Sequence, residues 1–323
     1  MNEIVLEVSN LDVSYQLSGK RVLKAVQNVT FELKRGETIG IVGESGCGKS
    51  SLVKAIAHLP KPSFGQVTLN GVNLGELNSR NLRESRKSFP IVFQDPISSL
   101  NPRRTVLQLV AQPLKIQKIG NAKERAEMAI KMLEKVGISA ELHGRRPYEL
   151  SGGQCQRVSI ARALVTGPSI LICDEPVSAL DVSVQAQILN LLEDLKQEFQ
   201  LSILFVSHDL GVVKNISDRV MVMYLGKVVE LADANEIYGN PQHPYTKLLL
   251  ESIPGSNKGR VRPVHGVGID LPSPLNPPSG CAFSSRCAFV LEHCKVEEPK
   301  LQLIDKKHQV SCHLTAKTVS AKA

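Results

Sequence analysis

The fold of this 323-residue chain is decided by the stretch Gly43-Glu44-Ser45-Gly46-Cys47-Gly48-Lys49-Ser50. It fits the pattern G-x-x-x-x-G-K-[ST], whose glycines let backbone N–H groups turn inward toward phosphate oxygens. In this pattern the lysine reaches the β- and γ-phosphates, and the hydroxyl of Ser50 ligates Mg²⁺. An apolar run typical of a strand precedes it at 37–42, and a helical pattern follows at 51–57. This context predicts a triphosphate-binding loop, with Ser51 among its contacts, rather than a chance glycine-rich turn.

An acidic pair closes a second apolar run. Asp174 and Glu175 directly follow the residues at 169–173. Buried parallel strands of α/β proteins carry their ligand-binding residues at their carboxyl ends. We therefore expect Asp174 to hold the Mg²⁺ shell through water and Glu175 to polarise the attacking water. Alone, the pair would be a solvated turn before a proline, but here it follows a triphosphate-binding loop.

Two more polar residues end apolar runs. His208 follows the run at 202–207, and Gln94 follows Ile91-Val92-Phe93. A neutral imidazole at His208 could contact the γ-phosphate and hold the attacking water in place. The amide oxygen of Gln94 could reach Mg²⁺ or that water. Each would be ordinary in isolation, so their order along the chain is what favours nucleotide hydrolysis.

A second glycine-rich turn, Leu150-Ser151-Gly152-Gly153-Gln154, precedes a helix candidate at 156–164. A helix N-terminus favours anions, yet a general phosphate-loop enzyme needs no second such turn. With this turn the chain clearly resembles the ABC-type ATPases. In that family the turn is the signature motif, which contacts the γ-phosphate bound to the opposite subunit. The resemblance therefore implies two ATP molecules sandwiched between two such domains.

Other positions fit the same resemblance. Ser178-Ala179-Leu180-Asp181 resembles the loop of this family that communicates across the dimer. Tyr15 resembles the aromatic residue that stacks on adenine, although a half-buried strand tyrosine is the alternative. Cys155 stands where a polar or charged residue is more usual in the family.

The fold class implied is an α/β P-loop NTPase of the ABC ATPase type. It comprises a RecA-like core, an antiparallel β subdomain and a helical subdomain within residues 66–150, where 122–136 is a helix candidate. By composition we expect the ATPase domain at 1–252, a linker rich in proline and glycine at 253–280, and a small Cys-rich C-terminal extension at 281–323.

Four of the seven cysteines lie in that extension, namely Cys281, Cys287, Cys294 and Cys312. Disulfides are rare in the cytosol, so four thiolates in a segment with little core indicate a metal or cluster. Zinc prefers closely spaced cysteine pairs, which this segment lacks, whereas a [4Fe–4S] cluster accepts looser spacings. Unligated cysteines are the third possibility. The cysteines outside the extension are interpreted as small core or loop residues: Cys47, Cys155 and Cys173.

The C-terminal part narrows the resemblance to oligopeptide/dipeptide ABC importers. Three stretches carry it: 243–254 beginning His-Pro-Tyr, 277–287 containing Cys281, and 93–104 around Gln94. The last of these resembles the second of the two ATPases that such importers use. In that family the four-cysteine element is associated with an iron–sulfur cluster.

The implied function is an ATP-binding and ATP-hydrolysing subunit that energises a membrane importer of peptides. Nickel or another small solute is the alternative cargo, and a soluble ABC ATPase outside transport is the alternative class. The resemblance implies a second ATPase subunit, identical or different, and two transmembrane permease subunits. An extracytoplasmic substrate-binding protein would act indirectly, and no nucleic acid is expected.

Composition agrees with these expectations. Hydrophobic residues make up 42% of the chain, as in an ordinary globular core. No apolar run approaches the ~18 residues that suggest a membrane span, and no signal peptide is visible. The net charge is +8, with basic residues spread along the chain, which favours a surface near anionic lipid. We expect a peripheral protein at the cytoplasmic face of the inner membrane.

Overall fold

The computed structural model describes residues 3–19, 21–253, 272–305 and 307–315. The strands are β1 Ile4–Gln16, β2 Val22–Lys34, β3 Thr38–Val42, β4 Phe64–Leu69, β5 Val72–Asn73, β6 Ile91–Val92, β7 Ile170–Asp174, β8 Ser202–Ser207, β9 Arg219–Tyr224, β10 Lys227–Asp233, β11 Gln302–Asp305 and β12 His308–Val310. The α-helices are α1 Lys49–Ile56, α2 Ser79–Ser85, α3 Pro96–Ser99, α4 Val106–Ile116, α5 Ala122–Lys135, α6 Gly152–Leu164, α7 Val182–Phe199, α8 Leu210–Ile216, α9 Ala234–Gly239 and α10 Pro244–Glu251.

These elements fall into two compact units. The first unit contains Leu33–Glu37 and Leu69–Val206, together with the start of β1. The second unit contains Leu6–Glu32, Thr38–Thr68 and the described residues from Ser207 onward.

The first unit holds three parallel strands side by side, in the order β6-β7-β8. In the register of these pairs, Ile172 lies opposite Ile91 on one side and Leu204 on the other. All residues of β7 and β8 are buried, as expected for parallel strands that are covered on both faces. Helices α4, α5 and α6 pack against one another beside them. Gln94 and the pair Asp174-Glu175 therefore follow strands of one parallel array.

The second unit holds five strands side by side, in the order β3-β9-β10-β12-β11. Strand β3 pairs in parallel with β9, and the pairs β9–β10, β10–β12 and β12–β11 are antiparallel. All five residues of β3 are buried, so the loop at 43–48 leaves from the interior of this sheet. Helix α8 packs closely on β3, where a Cβ at Gly40 would lie 2.3 Å from Val213 Cγ1.

A second set of strands in the same unit has the order β2-β1-β4. Strand β1 alternates buried and less buried residues along most of its length, as a strand with one covered face does. Tyr15 lies near its C-terminal end.

Part of the C-terminal segment joins the sheet of the second unit. Residues 281–323 were predicted as a Cys-rich extension after a linker, and within its described part β12 pairs with β10, with Glu230 opposite Val310 and Leu231 opposite Gln309. The strands β11 and β12 had no clear signal in the sequence. Of the predicted linker, residues 254–271 lie outside the described residues, and 272–280 form neither helix nor strand.

The strand and helix patterns near the motifs are confirmed. The runs at 37–42, 169–173 and 202–207 form β3, β7 and β8, and 122–136 forms α5 with Val136 as its C-cap. Helix α6 begins at Gly152, four residues before the predicted start. Among the described residues, no helix combines the length and apolar character needed to cross a bilayer.

Candidate functional site

Two glycines fix the curl of the loop between β3 and α1. Gly43 has a φ of 154° and Gly48 a φ of 105°, both in the region that favours glycine. A Cβ at Gly43 would lie 2.3 Å from the carbonyl oxygen of Met223, and one at Gly48 would lie 2.2 Å from that of Ala25. No side chain fits at either position, so the loop depends on both glycines.

The loop leads into α1 without a capping side chain. Gly48 is the N-cap of α1, and the first turn contains no acidic residue. The first N–H groups of a helix lack partners inside the helix, and the helix dipole places partial positive charge there. The start of α1 is therefore suited to an anion such as phosphate.

Lys49 places a buried cation inside the loop. Its Nζ donates hydrogen bonds to the carbonyl oxygens of Gly43, at 2.7 Å, and Glu44, at 3.1 Å. Only 4% of the residue is exposed. Tyr15 joins the same neighbourhood, since its hydroxyl lies 3.4 Å from Ser51 Oγ in α1. The structure thus brings the predicted adenine-stacking residue to the helix that follows the loop.

Partners far along the chain hold the loop. The N–H of Gly226 donates to the carbonyl of Cys47 at 2.8 Å. The N–H of Glu44 donates to the hydroxyl of Tyr245 at 2.9 Å. The carboxylate of Glu44 accepts two hydrogen bonds from the guanidinium of Arg286, at 2.8 and 2.9 Å.

In the first unit, Asp174 ends β7 and is 6% exposed. Glu175 follows with a φ of 52°, an uncommon conformation for a residue other than glycine. Its N–H donates to the carbonyl of Val206 at 3.0 Å, and its carbonyl accepts from Ser178 Oγ at 3.1 Å. The backbone at Glu175 is therefore fixed from both sides, in a strained geometry of the kind that clusters at functional sites.

The turn at 151–154 is a complete capping box. Ser151 Oγ accepts from the N–H of Gln154 at 3.3 Å, and Gln154 Oε1 accepts from the N–H of Ser151 at 2.9 Å. Ser151 is exposed, and Gly152 and Gly153 form the first turn of α6. The unusual Cys155 is fully buried, and its Sγ donates to the carbonyl of Pro147 at 3.4 Å.

The turn packs against the segment before α7. A Cβ at Gly152 would lie 3.4 Å from Leu180 Cδ2. Asp181 is the N-cap residue of α7, but its side chain makes no capping hydrogen bond and is exposed. Gln185 Nε2 holds the intervening loop through the carbonyls of Val177 and Leu180, at 3.0 and 2.9 Å.

Gln94 and His208 are both exposed, and His208 directly follows β8, whereas Phe93 separates Gln94 from the end of β6. Gln94 precedes Asp95, whose carboxylate caps α3 by accepting from the N–H groups of Ile97 and Ser98. These hydrogen bonds lower the pKa of Asp95, and the bond from the N–H of Ser98 has the largest effect.

The four C-terminal cysteines converge. Cys281, Cys287, Cys294 and Cys312 line one pocket together with His313, and none is in a disulfide. Burial raises the pKa of Cys281 to about 11, and the neighbouring cysteines add to the effect. Burial likewise raises the pKa of Cys287 and of Cys312. The four thiols lie together and are at least partly buried, and burial disfavours deprotonation of Cys281, Cys287 and Cys312 without a nearby cation. Such a donor set fits a metal centre.

The three remaining cysteines are buried, as expected of core residues. Cys47, Cys155 and Cys173 are no more than 1% exposed. Burial raises the pKa of all three thiols.

Two parts of the chain match known protein families. Residues 26–178 match the family described as ABC transporter, and residues 229–294 match the family described as Oligopeptide/dipeptide transporter, C-terminal region. The chain is 46% identical to the oligopeptide transport ATP-binding protein OppF of Haemophilus influenzae, covering 96% of this chain and 97% of that protein. It is 49% identical to AppF of Bacillus subtilis, also named an oligopeptide transport ATP-binding protein, over 90% of each chain.

Solved structures show the same fold. A dimeric ATP-binding cassette, MJ0796, in a post-hydrolysis state with ADP and phosphate matches with a TM-score of 0.65 and 31% identity. The match covers 71% of this chain and 98% of that one. The chain therefore belongs to the ABC transporter family and is an ATPase of that family.

Three residues of the site were not assigned a role from sequence. Tyr245 and Arg286 were quoted only as part of the family resemblance, yet both bind Glu44. Glu230 is fully buried and accepts from the N–H groups of Gln242 and His243 and from His308 Nε2. The sequence signal for a buried, hydrogen-bonded Glu230 was its position within an otherwise apolar strand. Its partners could not be identified from sequence, because they lie 12 to 78 residues away.

Proposed function

We propose that this chain binds MgATP in the loop at 43–50 and hydrolyses it as the energising subunit of a peptide importer. The observation that carries the proposal is the loop itself. Two glycines that admit no Cβ, an uncapped helix start and a buried lysine create a cradle for a triphosphate.

The site residues take the roles that their types allow. Lys49 and the N–H groups of 45–50 bind the β- and γ-phosphates, and Tyr15 stacks on adenine. The Mg²⁺ ligands are Ser50, Gln94 and, through water, Asp174. Glu175 polarises the attacking water, and His208 contacts the γ-phosphate.

A second ATPase subunit completes each nucleotide site. The preformed turn at 151–154, whose Ser151 is exposed, is suited to bind the γ-phosphate held by that partner, and Asp181 communicates across the interface. The dimeric state of the cassette MJ0796 supports this arrangement. The partner is either a second copy or a related chain.

Transport is favoured over a soluble role. OppF of Haemophilus influenzae and AppF of Bacillus subtilis are both named oligopeptide transport ATP-binding proteins, and the C-terminal part matches a transporter family. Two permease subunits then hold the chain at the cytoplasmic face of the membrane, with an extracytoplasmic binding protein acting indirectly. Peptides are the favoured cargo over nickel or other small solutes.

The converging cysteines are proposed to hold a [4Fe–4S] cluster. Four thiols in one pocket supply the donor set that such a cluster needs. Zinc is the competing metal, because the donor atoms of His293, Cys294 and His313 lie within 4.8 Å of one another. Anaerobic purification with analysis of iron, sulfide and zinc separates the two, and zinc without iron at one per chain would overturn the cluster.

The decisive variant for hydrolysis is Glu175→Gln. It keeps the shape of the side chain but removes the carboxylate that polarises water, so we expect trapped ATP and loss of at least about 100-fold in turnover. The measurement is steady-state hydrolysis by the assembled complex, with Glu193→Gln, a half-buried glutamate of α7, as a matched control. Wild-type turnover by Glu175→Gln would refute the role.

A further inference from the structure

A bidentate ion pair joins the Cys-rich segment to the triphosphate-binding loop. Arg286 stands between Cys281 and Cys287 in sequence, next to the second cysteine. Its two terminal nitrogens donate to the two carboxylate oxygens of Glu44 at 2.8 and 2.9 Å. The Arg286 side chain is 10% exposed and that of Glu44 is 25% exposed, so water screens the pair only in part. Such paired, partly buried hydrogen bonds are stronger than those of surface ion pairs.

Aromatic rings pack against the guanidinium of Arg286 and fix its position. Its carbon lies 5.9 Å from the ring centroids of both Tyr224 and Phe283. Those rings pack edge to face at 5.3 Å, and each also contacts Tyr245, at 4.7 and 5.3 Å. Phe283 is 3% exposed and belongs to the Cys-rich segment. The position of Arg286 is therefore set by packed rings and not by its own flexible stem.

Glu44 is held at every polar group by a different element. Its N–H donates to Tyr245 in α10, its carbonyl accepts from Lys49 in α1, and its carboxylate binds Arg286. Lys49 is the same cation that the phosphates require. The orientation of the peptide at Glu44 thus connects Arg286 to the lysine at the centre of the loop.

We propose that Arg286 is a positioning residue for nucleotide binding, which neutralises the Glu44 carboxylate and fixes the loop for a triphosphate. Through this pair the folded Cys-rich segment sets the nucleotide affinity of the ATPase. The inference rests on the proposed function, namely that ATP binds at 43–50.

The electrostatic reason is simple. Glu44 is a loop residue, so an unpaired carboxylate there would repel the phosphates that the loop collects. ATP carries more negative charge than ADP, and the repulsion would therefore weaken ATP more. Salt screens charges that are partly exposed, so the defect would shrink as ionic strength rises.

The test is a titration of the full chain with MgATP and MgADP. We expect Arg286→Ala to weaken MgATP binding about fivefold to tenfold and MgADP binding less, with the ATP defect reduced at high salt. Arg286→Lys keeps the charge but loses the two-pronged geometry and should fall between wild type and Arg286→Ala. The double variant Arg286→Ala with Glu44→Gln removes the unpaired charge and should recover most of the affinity.

Arg35→Ala is the matched control. Arg35 also makes a bidentate pair, with Glu3, at 2.6 and 3.0 Å, but touches neither the loop nor the Cys-rich segment through that pair. It should leave nucleotide affinity unchanged. Metal content and melting temperature of every variant are measured alongside.

The outcomes separate the two claims. If wild type binds no nucleotide, the proposed function fails, and the inference fails with it. If wild type binds MgATP and Arg286→Ala binds it equally well, only the inference is overturned. The inference is also overturned if Arg286→Ala weakens ATP and ADP equally, independently of salt and without rescue by Glu44→Gln, because that pattern indicates simple loss of structure.

Discussion

The two glycine-rich turns of this chain are built in opposite ways. The loop at 43–50 has no capping side chain and is held by residues about 180 to 240 positions away, including Gly226, Tyr245 and Arg286. The turn at 151–154 is held by its own residues, through the reciprocal hydrogen bonds of Ser151 and Gln154. One turn depends on the surrounding fold, and the other is preformed by four residues.

This difference fits the proposed function of each turn. The loop is proposed to direct its own N–H groups and a lysine at a triphosphate, and its shape is fixed by residues outside it. The turn at 151–154 is proposed to be presented to a nucleotide bound elsewhere, and a local cap suffices for that.

The largest expected contrast comes from adding one methyl group to each turn. Gly48→Ala forces a Cβ at a φ of 105° to within 2.2 Å of a backbone oxygen. We expect MgATP affinity, measured by titration, to fall more than about 100-fold. Gly152→Ala has no positive φ to satisfy, and its Cβ would lie 3.4 Å from Leu180 Cδ2. Its free energy of unfolding should rise by up to about 1 kcal/mol, because alanine favours a helix. Wild-type affinity in Gly48→Ala would break the comparison.

Low pH should destabilise the C-terminal residues that hold the loop at 43–50, but not the capping box at 151–154. Burial lowers the pKa of His243 to about 4, and its Nδ1 accepts the N–H of Tyr245 at the start of α10. The unfolded chain therefore binds more protons between pH ~6.5 and ~4, and stability falls as pH falls through that window, by on the order of 3 kcal/mol.

Glu230 acts in the same direction at lower pH. Burial alone would raise its pKa, but hydrogen bonds from His308 and two backbone N–H groups outweigh burial and lower it. Its contribution is present above the ordinary value of 4.5 and is lost as pH falls below it. Melting temperature and MgATP affinity, followed from pH 7 to pH 4, should decline together. His243→Asn keeps an acceptor that does not titrate and should flatten the upper part of the decline. An unchanged slope in that variant would contradict the assignment.

The smallest expected effect is that of removing the capping hydrogen bond of Ser151 in the turn at 151–154. Ser151→Ala removes the acceptor for the N–H of Gln154 and should cost about 1 kcal/mol in the free energy of unfolding, measured with denaturant. Asn121→Ala removes the equivalent cap of α5, which has no part in the site, and should cost a similar amount. Only Ser151→Ala should also reduce hydrolysis by the assembled complex. Equal turnover in the two variants would remove Ser151 from the nucleotide site.

Local sequence patterns made the strands and the helix start near the site residues predictable. The strands before Gly43, Asp174 and His208 are short apolar runs, and each forms where its period and flanking residues indicate. The capping box at 151–154 was also visible as Ser-x-x-Gln, and it explains why α6 begins four residues before the predicted start.

Long-range partners were not predictable in the same way. Arg286 and Glu44 are 242 residues apart, and nothing in the local sequence of either indicates the other. The pairing of β12 with β10 was missed for the same reason, since β12 has only three residues and no distinctive period. The convergence of four cysteines could be expected from composition, whereas their attachment to the loop through Arg286 could not.

The most direct test of the proposed triphosphate site is a calorimetric titration of the full-length chain with MgATP, compared with Lys49→Ala. We expect saturable binding of one nucleotide per chain, lost in the variant because the loop lacks its central cation. Equal binding by the two proteins would show that nucleotide is held elsewhere and would contradict binding at the loop 43–50.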